Sequence, residues 1–355
     1  MNRALLLRIH RYVGLALAPL LLVQAATGAL LLWRSDAARA IDPAAWTSRH
    51  AGATISAGDA VRRAERAVAH GRVTRLFWPA DRDGTFLVQL ATPDRTAYAT
   101  IDPAGGAVLR RGGIAAFPVE LALALHFRLA TGRIGMAVVL LDALALLALA
   151  GSGIAFWWPR RAPRWRQLTV RWNVAGRLVL RQLHRTAGVL ISIVIGFSAL
   201  TGLLLIVPEL IDGPSTPAMR ASVDTAAIDC AVTAARAAIP SGALRDMRID
   251  ATRVIVNVTA PERNTRAVHR VTIDLARPDR RVVLRAADQS AWWITILPLH
   301  AGDPLGTAGR LVLMLGAAML AALAVSGPVM WWQLAALRRR AATNRPPSLQ
   351  RQQPA

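Results

Sequence analysis

The chain contains no lysine. All 43 of its basic residues are arginine, set against 21 acids, which leaves a net charge of +22. An excess of that size is one mark of a nucleic-acid binder. Here the arginines gather at the ends of apolar runs, so nucleic acid is excluded as a partner. Cysteine is nearly absent, with Cys230 standing alone. A single thiol rules out an intramolecular disulfide and any iron–sulfur cluster held by four thiolates. C-x-x-C-H is missing, which removes that route to a covalently attached haem. Missing too is a G-x-G-x-x-G joining strand to helix. Without that dinucleotide fingerprint, electrons for any redox chemistry must come from a separate donor.

What the chain has in quantity is apolar sequence, 54% of the whole, arranged in long runs. Runs at 12–33, 134–158, 186–207 and 311–332 each reach the roughly 20 residues that span a bilayer core. They divide the chain into transmembrane helix one with its N-terminal arm (1–33), a polar module (34–118), and an interfacial segment leading into helix two (119–158). An arginine-rich loop (159–185), helix three (186–207) and a second polar module (208–291) follow. A second interfacial segment with helix four (292–332) precedes a tail (333–355) whose Arg, Pro and Gln content predicts disorder. The first run resembles a signal peptide, but its internal counterpart at 186–207 cannot be one, so it is read as a membrane helix. In the first module Ser56 caps a helix ended by Gly71, and "VTRLFWPA", "TFLVQLAT" and "TAYATIDPAGGAVLR" read as strands. The second module repeats this with "DTAAIDCAVTAARAAIP" as the helix and four strand segments from "RDMRIDA" to "RVVLRA". The expected fold is a membrane α-helical protein of four transmembrane helices with two small α+β extracytoplasmic modules.

Orientation follows from the distribution of arginine. The N-terminal arm, the 159–185 loop and the tail hold 3, 8 and 5 arginines and no acid. The positive-inside rule places all three in the cytosol and the modules in the periplasm, with a bacterial inner membrane between.

A spacing of 174 residues relates the two halves. It carries His10 to His184 and His126 to His300. It also carries Thr27-Gly28 to Thr201-Gly202, Ser152-Gly153 to Ser326-Gly327, and Trp157-Trp158 to Trp331-Trp332. Such agreement points to an internal duplication, its small residues suited to close helix approach. His10 and His184 precede helices that start in the cytosol; His126 and His300 precede helices that start outside. Two-fold symmetry about the membrane normal brings each pair together. Facing neutral imidazoles are the axial set of a b-type haem, so two haems are expected, with His10, His184, His126 and His300 on their irons. His50, His70 and His269 fall outside the pattern and are expected at the surface. Arg11, Arg185, Arg128, Arg133 and Arg310 are candidate partners for haem propionates. Arg11 and Arg185 serve the positive-inside rule equally well, and the outer three also suit an anionic substrate. Asp142 lies inside helix two with Gly316 at the matching position, suited to relay a proton or to bond a neighbouring helix. Trp292-Trp293 either dips into the outer interface or lines a substrate site.

The segments "HRYVG…TGALLLW", "LH…TGR…SGIAFWWPRR", "LHRTAGV…TGLLL" and "LH…SGPVMWW" resemble the PepSY-associated transmembrane proteins. That family includes iron-regulated membrane proteins and inner-membrane ferric-siderophore reductases, and the resemblance covers nearly the whole chain. It implies PepSY-like modules, two b-type haems on the paired histidines, and electrons passed outward to ferric siderophores or other ferric chelates. A cytosolic flavoprotein or membrane quinol would be the donor. The second module departs from the family pattern, since "IDLARPDRRVV" lacks the glycine of D-P-x-x-G. Two other classes remain open. A non-enzymatic anchored protein that binds or regulates a periplasmic partner predicts no chromophore. A siderophore or metal permease predicts more intramembrane polar groups than Asp142, Thr27 and Thr201 provide.

Overall fold

The structure, a computed structural model, describes residues 3–48, 53–158, 168–212, 224–277, 279–289 and 292–343. The first helix, α1 (Arg3–Leu32), is followed by the short α2 (Arg34–Ile41), α3 (Pro43–Trp46) and α4 (Ala57–Ala67). Strands β1 (Arg72–Phe77), β2 (Phe86–Ala91), β3 (Thr96–Ile101) and β4 (Val108–Gly113) lead to α5 (Pro118–Arg128) and α6 (Gly132–Trp157). The second half runs α7 (Gly176–Asp212), α8 (Thr225–Ala238), β5 (Leu244–Ile249), β6 (Arg253–Thr259), β7 (Val268–Asp274), β8 (Arg281–Leu284), α9 (Trp293–His300) and α10 (Gly306–Thr343).

Helices α1, α6, α7 and α10 are each long and apolar enough to cross a membrane. Even α6, with 26 residues, rises about 39 Å against a hydrocarbon core of about 30 Å. They close a ring in which α1 meets α6, α6 meets α7, α7 meets α10, and α10 meets α1. Ile134, Leu141, Leu190 and Ile193 point out of this ring and are exposed. Apolar surface on that scale belongs against lipid. The chain is a membrane protein.

The helices outrun the apolar runs. Helix α1 starts at Arg3, and α7 starts at Gly176 and continues through Pro208 to Asp212. The segment "RLVLRQLHR" has good helix formers and no breaker, so the helix persists where hydropathy fades. His10 and His184 therefore lie inside their helices rather than ahead of them.

The two polar regions meet edge to edge. Their strands form one eight-stranded antiparallel sheet in the order β4-β3-β2-β1-β5-β6-β7-β8. The join is β1 against β5, where Leu76 pairs with Met247 and both side chains are fully buried. Helices α4 and α8 share a single core on this sheet, Ala60, Val61 and Ala64 packing with Ile228, Ala231 and Ala235 over Leu76, Phe86 and Val256. Asp229 of α8 completes the N-terminus of α4, accepting from Ser56 Oγ at 2.8 Å and from the Gly58 amide at 2.7 Å. Across the join, buried Asp246 takes Arg75 at 2.9 Å, Arg245 at 3.0 Å and Asn257 Nδ2 at 3.0 Å. Burial works to raise the Asp246 carboxyl, but the two guanidiniums outweigh it and hold the group below the usual carboxylate range.

Of the three unpaired histidines, His269 is not at the surface. It is buried on β7, where Nδ1 accepts from the Ala286 amide at 3.1 Å and Nε2 meets Glu262 at 2.9 Å. His70 is exposed in a turn, and His50 lies outside the described residues.

Candidate functional site

The four paired histidines occupy two levels of the bundle. His10 and His184 lie at the end far from the sheet; His126 and His300 lie at the sheet end, on the short helices α5 and α9. His126 and His300 face each other with ring centroids 6.2 Å apart and planes at 45°. At the far end Phe156 lies edge-on to His10, with ring centroids 6.3 Å apart.

Each imidazole is held in the same way. His10 Nδ1 lies 2.7 Å from Ser152 Oγ, and His184 Nδ1 lies 2.7 Å from Ser326 Oγ. At the sheet end His126 Nδ1 lies 3.1 Å from Thr27 Oγ1, and His300 Nδ1 lies 2.9 Å from Thr201 Oγ1. Every one of these hydroxyls donates its own proton to a carbonyl of its own helix. Thr27 donates to Val23 at 2.6 Å, Ser152 to Leu149 at 3.0 Å, Thr201 to Phe197 at 2.8 Å and Ser326 to Leu323 at 3.3 Å. With its proton committed, the hydroxyl presents a lone pair to Nδ1. That favours the Nδ1–H tautomer and leaves Nε2 unprotonated, the state in which imidazole binds a metal.

The residue after each hydroxyl is glycine. A Cβ at Gly28 would fall 3.0 Å from His126 Cε1, and one at Gly202 3.2 Å from His300 Cε1. The same seat at the far end is looser, 3.8 Å at Gly153 and 3.9 Å at Gly327. Two further glycines bring the short helices in. A Cβ at Gly135 would lie 1.8 Å from the Arg128 carbonyl oxygen, and one at Gly309 2.1 Å from that of Gly302. Only glycine lets the first turns of α6 and α10 sit on the carboxyl ends of the histidine-bearing segments. The Thr-Gly and Ser-Gly pairs are visible in the sequence as small-residue matches, but their role as seats for imidazole is not. The matching glycines 135 and 309 escape the sequence reading, although they obey the same spacing.

His126 and His300 are half-buried, and loss of solvent holds both below their ordinary value. His300 falls to about 4, His126 adding to the effect of burial. Both are neutral at pH 7. Among the described residues no three His, Cys, Asp or Glu side chains converge as a metal cage.

The arginines divide. Arg185 and Arg310, one at each level, have Nε buried without a partner. Arg310 also reaches Asp303 through Nη2 at 3.4 Å. Arg133 is spent on the Leu210 carbonyl at 3.0 Å. Arg11 and Arg128 are half-buried. Trp293 packs against Ala260, Ala267, Ala286 and Ile294, whereas Trp292 is exposed, so the structure separates this pair. Asp142 is buried inside α6, away from both levels.

No curated protein matches the chain. The family model described as "PepSY-associated TM region" matches residues 7–333, and the chain belongs to that family.

Proposed function

We propose that the chain is a transmembrane electron-transfer protein that binds two b-type haems, one between His10 and His184 and one between His126 and His300. One observation carries this reading: four imidazoles, each with Nδ1 within hydrogen-bond distance of a hydroxyl that already donates to a carbonyl of its own helix. The donor set suits the group. Two imidazoles, with no third His, Cys, Asp or Glu beside them among the described residues, suit a metal whose other positions are filled by its own macrocycle. The 6.2 Å centroid separation leaves room for two metal–nitrogen bonds of about 2 Å plus the two ring radii. The orphaned Nε of Arg185 and of Arg310 suits a propionate at each level. Bound there, haem supplies a one-electron site at each level.

The chain's own residues do the rest. Seventeen positions separate His10 from Thr27 on α1, about 26 Å of rise, so the two levels bridge most of a core of about 30 Å. The seats fix ring direction at both ends. A duplication of one helix–module–helix unit accounts for the equal seats and makes the two parts of the sheet PepSY-like modules. Arginine at the far end supports a cytosolic position for it, both termini inside a bacterial inner membrane, with a flavoprotein or quinol as donor. The sheet then lies in the periplasm, where ferric siderophore or another ferric chelate accepts the electron. Each ferric ion takes one electron and leaves as the more labile ferrous ion. A mere anchor for a periplasmic binding module leaves four hydroxyl-locked imidazoles without a purpose. A permease asks for more polar groups inside the ring.

Spectra of the protein purified from haem-replete cells test this. Soret and α bands are expected, sharpening on reduction with dithionite; their absence overturns the reading. His184→Ala should remove one of the two haems, and loss of neither refutes the pairing. Mixing the reduced protein with ferric chelates should reoxidise it. Chelates that leave it reduced remove the reductase role and leave electron transfer standing.

A further inference from the structure

Asp142 is 3% exposed on α6, and its Oδ1 has no hydrogen-bond partner. It stands ten residues before Ser152, which marks the far level, so it lies about 15 Å from that level along the helix. The two levels are about 26 Å apart on the same measure, which puts Asp142 between them. The elements packed on α6 are α7, α1 and α5. Their titratable and charged groups sit at the bundle's ends. On α7 these are Arg177, Arg181, His184 and Arg185 at the far end, with Glu209 and Asp212 at the sheet end. On α1 they are Arg3, Arg8, His10, Arg11 and Tyr12; on α5, Glu120, His126 and Arg128. Residues 13–32, 186–208 and 311–337 contain none, and α6 itself adds only Arg133 at its start. The matching position in the second half is Gly316, where a Cβ would press on Val194 at 3.1 Å. Gln24 Nε2 on α1 is also buried without a partner.

A lone carboxylate inside a membrane is costly and persists where a working state supplies its counter-charge. On the haem reading, which this step rests on, an oxidised bis-imidazole site carries one net positive charge at the iron and a reduced site carries none. A carboxylate between two such sites is favoured when they are oxidised and disfavoured once one is reduced. We infer that Asp142 takes up one proton when one electron enters the bundle and returns it when the electron leaves. The electron comes from the quinol or reduced flavin donor and the proton from water. One O–H bond forms on the Asp142 carboxylate, and the net charge of the interior stays constant. Oxidation by the ferric acceptor reverses both transfers.

Redox titration of the haem-loaded protein across a pH series tests this. In the unmodified protein at least one midpoint should fall as pH rises, by up to about 59 mV for each tenfold drop in proton concentration. Asp142→Asn should keep both sets of bands and flatten that slope. Equal slopes in the two proteins, or midpoints independent of pH in the unmodified one, overturn the inference. Should Asp142→Asn fail to accumulate, the infrared difference spectrum of the unmodified protein decides. Reduction should raise the carbonyl stretch of a protonated carboxyl, shifted by carbon-13-labelled aspartate, and its absence is equally fatal. A protein with no Soret band fails at the haem reading, which is a different result from bands without proton coupling.

Discussion

His126 and His300 occupy equivalent seats, Thr27-Gly28 and Thr201-Gly202, yet the segments that carry them are fastened differently. In the first half the buried carboxylate is Glu120, at the start of α5, and it takes Arg34 at 2.6 Å from the start of α2. In the second half it is Asp303, three residues past His300, held by Arg266 of the β6–β7 hairpin and by Arg310 of α10. The same hairpin adds Asn264 Nδ2 to the Ile294 carbonyl at 3.1 Å and Arg263 to the Gln289 carbonyl at 3.0 Å. Position 294 is Ile and position 129 is Leu, so neither carboxylate has a counterpart at the 174-residue spacing. Holding an imidazole demands one geometry, and both halves supply it. Tying down its helix only demands a buried ion pair, and the halves reach that separately. As a result the His300 segment is tied to the β6–β7 hairpin by polar contacts, whereas the His126 segment is tied to α2 by an ion pair and rests on β2 and β3 through apolar packing of Phe117 on Leu87 and Tyr98.

The largest effect expected on this comparison comes from the seam where the two halves of the sheet meet. Asp246→Ala leaves Arg75 and Arg245 facing each other without their carboxylate, at a cost of about 3 kcal/mol. Thermal melts should show the sheet loosening while, on the haem reading proposed above, the Soret band of the bundle persists. The carboxyl's folded-state value is depressed, so its contribution is complete above the ordinary carboxylate range. It declines as pH falls below that range and is gone once pH has passed the lowered value, and acid titration of the unmodified protein should show that low endpoint.

The hydroxyls come next. Removing the group that orients a ligating imidazole typically weakens metal binding by about 10- to 100-fold. If the proposed haems are bound, Ser152→Ala, Ser326→Ala, Thr27→Val and Thr201→Val should each cause a loss of that order, read as haem retention under dilution. The two members of a level should be equal, because their seats are equal. A large difference between Thr27→Val and Thr201→Val would break the equivalence at the sheet end.

Much of this was legible in the sequence, for reasons that differ by feature. The four spans follow from run length alone, and the approach of His126 to His300 from a constant spacing. The hydroxyl seats were visible but misread, because Ser152 and Ser326 look like any small residues in a packed helix. A sharper signal was present: histidine and hydroxyl are 142 positions apart in both far-end seats and 99 apart in both sheet-end seats. The single sheet was not legible, since the β1–β5 pairing joins strands whose partners, such as Leu76 and Met247, have no local link. His269 looked like a strand surface residue because its burial depends on the turn at 286–288 folding over it.

The anchors should separate the halves more gently. Asp303→Asn removes a carboxylate from Arg266 and Arg310, both more than a third exposed, so screening limits the cost to about 1–2 kcal/mol. Hydrogen exchange should then speed up in α9 and in the β6–β7 hairpin together. Glu120→Gln should loosen α5 and the start of α2 by a similar amount and leave that hairpin alone. Equal exchange in the hairpin for both variants would erase the proposed difference in linkage.

The smallest effect is a change of sign between the two levels. Replacing a helical glycine by alanine gains up to about 1 kcal/mol of helix stability when the methyl has room. Gly153→Ala and Gly327→Ala have room, since their methyl groups would meet imidazole at ordinary contact distance, 3.8 and 3.9 Å. Both should be neutral or slightly stabilising, with unchanged spectra. At Gly28 the methyl would sit 3.0 Å from His126 Cε1, and at Gly202 3.2 Å from His300 Cε1. The ring cannot retreat without stretching its bond to Thr27 or Thr201, so crowding of about 1 kcal/mol or more should cancel the helix gain. On the proposed haem reading Gly28→Ala should therefore perturb the sheet-end bands most, Gly202→Ala somewhat less, and the far-end pair not at all. If all four variants shift the spectrum alike, the tighter sheet-end seat is not a property of the protein.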